Sequence, residues 1–178
     1  GVAAGERALG PERLAAPADP PFWGDISTRG FLRALLGAGR ALLTLGRFEE
    51  GARRLTRLVA LDQGDHLGAR FRLAPLLLEL GRDDDAEKLL VRFAKERSAW
   101  LAFARALVLF RREGDGPQSR MARNRALKAD PVGVELLRCP LETLDGLGAP
   151  LSDDERAIAM QRRAWETTPG AFDWLGRK

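Results

Sequence analysis

The side chain with the widest chemical reach in this chain is its single histidine, His66, set in the stretch Gln63-Gly64-Asp65-His66-Leu67-Gly68. An imidazole works as a general base only when a partner orients it and a proton lies within reach. Asp65 is adjacent in sequence, but neighbouring side chains on a helix or turn do not face each other. His66 is therefore expected to be a polar residue at the start of a helix rather than a catalytic base. Cys139 stands before Pro140 without a second histidine to activate it, and reads as a buried or incidental thiol. One thiol cannot form an intramolecular disulfide, and one Cys with one His cannot supply four zinc ligands. A reducing cytoplasm, no structural metal and no cofactor follow as expectations.

Asp83, Asp84 and Asp85 look like a metal cluster on paper, yet they lack the alternating spacing and glycine turn of a calcium loop. Three acids in a row suit the first turn of a helix, where they complement its dipole, and are expected to be solvated there. The glycines form neither a dinucleotide fingerprint after a strand nor a P-loop. With no reactive pair on display, the chain reads as a non-catalytic protein. The remaining chemistry is cationic. Lys and Arg number 29 against 25 Asp and Glu, a net charge of +4, so bulk charge alone does not assign an acidic partner and the distribution must decide.

Helices must position these groups. Runs of alternating Val, Ile and Thr are missing, there is no Asn-Gly hairpin turn, and tyrosine is absent altogether. Instead, LRALLGAGRALLTL places leucines at three- and four-residue spacings, Gly46 ends the run, and FEEGARRLTRLVALD resumes it. So short a connection makes the two helices antiparallel. The pattern returns as LGARFRLAPLLLEL, Gly81 and DDDAEKLLVRFAKE, then as SAWLAFARALVLFRRE, Gly114 and a helix opened by Pro117. No apolar run approaches the roughly 20 residues that cross a bilayer. GVAAGERALG lacks the apolar core of a signal peptide and reads as the tail of a preceding second helix, so the chain is expected to begin inside a repeat. After Pro131 the expectation is a short helix, a Gly/Pro-punctuated loop at CPLETLDGLGAP, one helix opened by the capping box Ser152-Asp153-Asp154-Glu155, and a last short helix at GAFDWLG.

The turn glycines 46, 81 and 114 lie 35 and 33 residues apart, which brackets the roughly 34-residue period of tetratricopeptide helix pairs. The segments resemble that family: small residues stand at Gly39, Ala74, Gly51, Ala86 and Ser119, where the two helices of a pair approach, and ALKADP ends the third repeat. Leu107 and Arg123 depart from the pattern. The order of Trp23-Gly24 to Thr28-Arg29, the Asp62 to Arg70 stretch DQGDHLGAR, and AWETTPGA at Ala164 to Ala171 is also similar to bacterial repeat proteins related to the suppressor-of-tumorigenicity-7 family. The resemblance implies an all-α, right-handed α-solenoid of antiparallel helix pairs, with about three central repeats and atypical terminal helices. The boundaries expected are an N-terminal segment 1–27, pairs at 28–62, 63–96 and 97–130, and a C-terminal cap 131–178. Trp100 and Trp165 should fill gaps between helices, and Trp23 and Trp174 should seal the ends.

In tetratricopeptide arrays the first helix of each pair lines a concave groove. Carried onto this chain, the resemblance places Arg33, Arg40, Phe71, Arg72, Arg105, Arg111 and Arg112 on that surface. Guanidinium forks suit carboxylates, so the expected partner is an acidic protein or peptide segment, with Arg40, Arg72 and Arg105 as central contacts. The family's carboxylate clamp is not reproduced, since only Arg105 matches it. The alternative, a nucleic-acid or phosphate ligand on the same basic face, ranks lower because no ladder of aromatics is available to stack bases.

Overall fold

Leu-Gly-Arg at Leu45 to Arg47, and again at Leu80 to Arg82, is a helix terminus. At the first copy Gly46 takes φ 70°, its N–H donates to Leu43 O at 3.0 Å, and the Arg47 N–H donates to Leu42 O at 2.9 Å. At the second, Gly81 takes φ 68° and bonds Leu78 O at 3.2 Å, while Arg82 bonds Leu77 O at 2.8 Å. This pair of bonds satisfies carbonyls that a helix end otherwise orphans, and it needs a left-handed residue that glycine supplies without a Cβ penalty. Each arginine then folds over the start of the next helix: Arg47 meets Glu50 at 2.6 Å, and Arg82 meets Asp85 at 2.7 Å.

The computed structural model describes residues 1–15, 21–145 and 150–177, and among them every regular element is a helix. In chain order these are α1 (Val2–Ala15), α2 (Ile26–Thr44), α3 (Phe48–Leu61), α4 (Arg70–Glu79), α5 (Asp83–Arg92), α6 (Ala99–Glu113), α7 (Pro117–Ala129), α8 (Gly133–Arg138), α9 (Leu141–Asp145), α10 (Asp153–Ala159), α11 (Arg162–Glu166) and α12 (Ala171–Leu175). No described helix is long and apolar enough to cross a membrane. The chain divides into two compact units, Gly1–Leu73 and Ala74–Lys178. The division falls inside the expected second pair, next to Pro75, which cannot donate to the ladder of α4.

In the first unit α2 packs on α3, and α1 packs on α2. A Cβ on Gly39 would stand 2.9 Å from Leu55 Cδ2, and one on Gly51 would stand 2.7 Å from Leu43 Cδ2, so the small residues let this pair close. Phe31, Leu32, Leu35, Leu55 and Leu58 form its core. α1 is kinked at Gly10, which precedes Pro11 and takes φ 73°, ψ 164°.

In the second unit α6 is the central helix, packed on α5, α7 and α10, and its Trp100, Phe103 and Leu107 are fully buried. The turn at Gly114 departs from the other two. Its φ is 64° but its N–H reaches Phe110 O, and Ser119 Oγ, 2.6 Å from Gly114 O, accepts the Gly116 N–H at 3.0 Å. The stretch CPLETLDGLGAP is not all loop: α9 starts after Pro140, while 146–149 lie outside the described residues. The capping box forms as expected, Glu155 N–H to Ser152 Oγ at 3.2 Å and Ser152 N–H to Glu155 Oε2 at 2.8 Å.

The single helix expected after the box is instead two, α10 and α11. Gln161 breaks it, because its side-chain amide takes the Ala157 carbonyl at 3.2 Å, leaving the Gln161 N–H to bond Ile158 O one residue short. The same amide donates to Trp100 O at 3.0 Å, which ties the break to α6. Trp100 and Trp165 are fully buried, as expected of gap fillers, and Trp174 seals the other end of α6 with its ring 4.5 Å from Phe110.

Trp174 is also held by a charge. Its Nε1–H donates to Asp115 Oδ1 at 2.8 Å, and that bond, with the one from Arg120, keeps the Asp115 carboxyl below its ordinary value of 3.8. A carboxyl with a depressed folded pKa contributes stability above its unfolded pKa and loses it as pH falls. Asp115→Asn should therefore be less stable than wild type at neutral pH, and the gap between their denaturant midpoints should shrink as pH drops below 3.8. A gap of constant size from neutral to acid pH would show that the carboxylate has no such role.

Candidate functional site

Four of the seven groove residues fall in the first unit. Arg33 and Arg40 are exposed on one face of α2, two turns apart, with no ion pair or side-chain hydrogen bond assigned to either guanidinium among the described residues. Phe71 is half-buried with the Arg70 guanidinium 4.3 Å from its ring centre, and Arg72 is half-buried on the same helix, α4. The other three, Arg105, Arg111 and Arg112, lie on α6 in the second unit and meet different fates.

Arg111 is an internal cross-link rather than an open cation. Its Nη1 donates to Asp83 Oδ1 at 2.6 Å and Leu78 O at 2.9 Å, its Nε to Thr168 Oγ1 at 2.8 Å, and its Nη2 to Ala164 O at 3.0 Å. Arg111 and Asp83 keep side-chain exposures of only 16% and 22%, so neither behaves as a solvated group. Arg112 follows, pairing with Asp84 at 2.8 Å and with Glu87. The acids expected to be merely solvated thus differ: Asp84 is exposed, Asp85 binds Arg82 and Lys88, and Asp83 anchors a half-buried arginine. Sequence could not show that the basic end of α6 lies against the acidic start of α5.

Arg105 remains open, and it is not alone. Two depressions of about 500 and 210 Å³ lie along α6 and share Ala102, Arg105 and Arg125. Leu90, Ala94 and Leu101 give the larger one its apolar wall, while Leu109 and Met121 line the smaller. Arg105 and Arg125 are both exposed and have no assigned ion pair or hydrogen bond among the described residues. The sequence reading missed Arg125 because it lies on α7, the second helix of its pair. Its spacing from Met121 and Ala129, four residues each way, was the available signal.

His66 does have a carboxylate partner, but it is Asp62. Asp62 Oδ1 lies 2.7 Å from Nδ1, and Oδ2 accepts the His66 backbone N–H at 2.8 Å. A carboxylate accepts, so the proton between the two groups is assigned to Nδ1. The ring stacks on Trp23 at 4.8 Å with a 4° interplanar angle and lies against Gly64, where a Cβ would collide with it. Arg29 donates to Trp23 O at 2.8 Å with its guanidinium 5.0 Å from the indole ring. Next to it Asp65, with φ 48°, accepts from the N–H groups of Ala69 and Arg70 and pairs with Arg70 Nη1 at 2.9 Å. The two stretches beginning at Trp23 and Asp62 therefore form one clasp. Each of these contacts fixes the connection before α4. Among the described residues, no three His, Cys, Asp or Glu side chains gather as a metal set.

Compared with protein-family models, curated proteins and solved structures, the chain matches none.

Removing a half-buried cation strands its carboxylate partner. Arg111→Ala should cost about 3 kcal/mol in chemical denaturation, whereas Arg112→Ala, at an exposed pair, should cost under about 1 kcal/mol; equal costs would rule out the internal cross-link. In the clasp, Gly64→Ala should push the imidazole off Trp23, because the new Cβ would overlap His66 Cε1. Because the chain has one histidine, its ring C–H resonances are unambiguous in NMR. They should be ring-current shifted in wild type and move toward ordinary positions in both Gly64→Ala and Trp23→Ala; unmoved signals in both variants would refute the stack.

Proposed function

We propose that this chain is a non-catalytic protein-interaction scaffold, a right-handed tetratricopeptide-like stack of helix pairs that holds an acidic segment of a partner protein through arginines lacking an acid of their own. The carrying observation is the pair Arg105 and Arg125, which border one apolar groove and have no intramolecular counter-charge assigned among the described residues. The contrast along α6 supports it. Arg111 and Arg112 are matched by Asp83, Asp84 and Glu87, whereas Arg105 is left open beside Leu101 and Leu109. Guanidinium next to apolar surface is weakly hydrated and forks onto a carboxylate, so an acidic segment gains both charge and area there. Arg33 and Arg40 offer a second open basic face in the first unit.

The nucleic-acid alternative finds less support, because the groove is lined by Leu, Ala and Met rather than by aromatic rings on which bases stack. A chain that works this way needs no metal or cofactor and fits a reducing cytoplasm.

The test is fluorescence anisotropy with labelled Asp/Glu-rich peptides against wild type and Arg105→Glu/Arg125→Glu. Both positions are exposed, so the double variant should keep its helical circular dichroism. Binding by wild type should weaken about tenfold or more in the double variant. Undiminished affinity in the variant would sink the reading.

A further inference from the structure

We infer that the groove along α6 and α7 receives a short amphipathic helix whose two apolar anchors enter the two depressions while its acidic residues meet Arg105 and Arg125 between them. This rests on the acidic-partner reading above and narrows it to one chemistry. The arginines belong to both depressions, so they form the divide between them, and the apolar walls lie to either side. From Leu101 on one side to Leu109 on the other is roughly 12 Å along α6 at the usual helical rise. A bound helix brings residues i and i+7 onto one face about 10 Å apart, with i+3 and i+4 between them. That register is apolar, acidic pair, apolar.

A strand would fit the spacing less well for a chemical reason. The walls are the flanks of helices whose backbone groups bond within their own ladders, so no sheet edge is available to satisfy an extended backbone. A helix satisfies its own. Met121 is 70% exposed at the smaller depression, and its unbranched thioether adapts to an incoming side chain. Glu96 and Arg97 line the larger depression with opposite charges, whereas the charges common to both depressions are the two arginines.

The test uses the full chain and a labelled, end-blocked peptide of roughly 15 residues, a length at which an isolated helix is marginal in water. It carries Leu at i and i+7 and Glu at i+3 and i+4, and its control is a scrambled peptide of equal composition. The ordered peptide should bind about tenfold tighter than the scramble, gain helical circular dichroism on binding, and lose that advantage with Met121→Asp, a change at an exposed position. Equal binding of the two peptides, reduced in Arg105→Glu/Arg125→Glu, would overturn the helix while leaving the acidic partner intact. Binding of neither would overturn both, as would tighter binding of a single-stranded oligonucleotide.

Discussion

The second unit depends on where one guanidinium goes. Arg111 joins the end of α4, the start of α5 and the junction after α11, because Leu78, Asp83, Ala164 and Thr168 all accept from it. An arginine with so little exposure is tolerated only when its donors are met, so the acid at Asp83 and the Thr168 hydroxyl are constraints on the fold. The same constraint decides which cations are left for a partner. Once Asp83, Asp84 and Glu87 are committed to Arg111 and Arg112, the open charge on α6 is at Arg105, two turns toward the N-terminus.

The local grammar of the helices was legible in the sequence. Gly46, Gly81 and Gly114 all take positive φ at the ends they were expected to mark, and Gly39 and Gly51 stand where α2 and α3 close. The capping box at Ser152 formed as written. These features succeed because each is decided within a few residues by backbone geometry. Gln161 was not legible, since its break in the helix after Ser152 is favoured by Trp100 O, a carbonyl 61 residues away. Arg123 departed from the expected pattern, and its Nη1 donates to Trp174 O at 3.0 Å, which ties α7 to α12.

The candidate sites divide along the same line. His66 and Asp62 are four residues apart, a spacing that sequence alone could have paired, and attention to the adjacent Asp65 hid it. Trp23 as a stacking partner could not be read, because nothing in the local pattern brings residue 23 to residue 66. The groove shows the opposite balance. Arg105 was singled out through its place in a repeat, yet what gives it meaning is Arg125 on the next helix and the apolar walls around both.

A turn arginine and an open cation therefore obey different rules in this chain. At Leu45 to Arg47 and Leu80 to Arg82 the arginine is bound within three residues by Glu50 or Asp85, so the turn supplies its own counter-charge and cancels it as a site, while Arg177 of the third Leu-Gly-Arg reaches Asp115 at 3.6 Å. A cation stays available only where the repeat fails to provide an acid. Arg105 and Arg125 meet that condition beside apolar surface, where a partner's carboxylate loses less to competing water than it would at an exposed ion pair. The unmatched position, rather than the recurring one, is where this architecture leaves a charge without an assigned internal partner among the described residues.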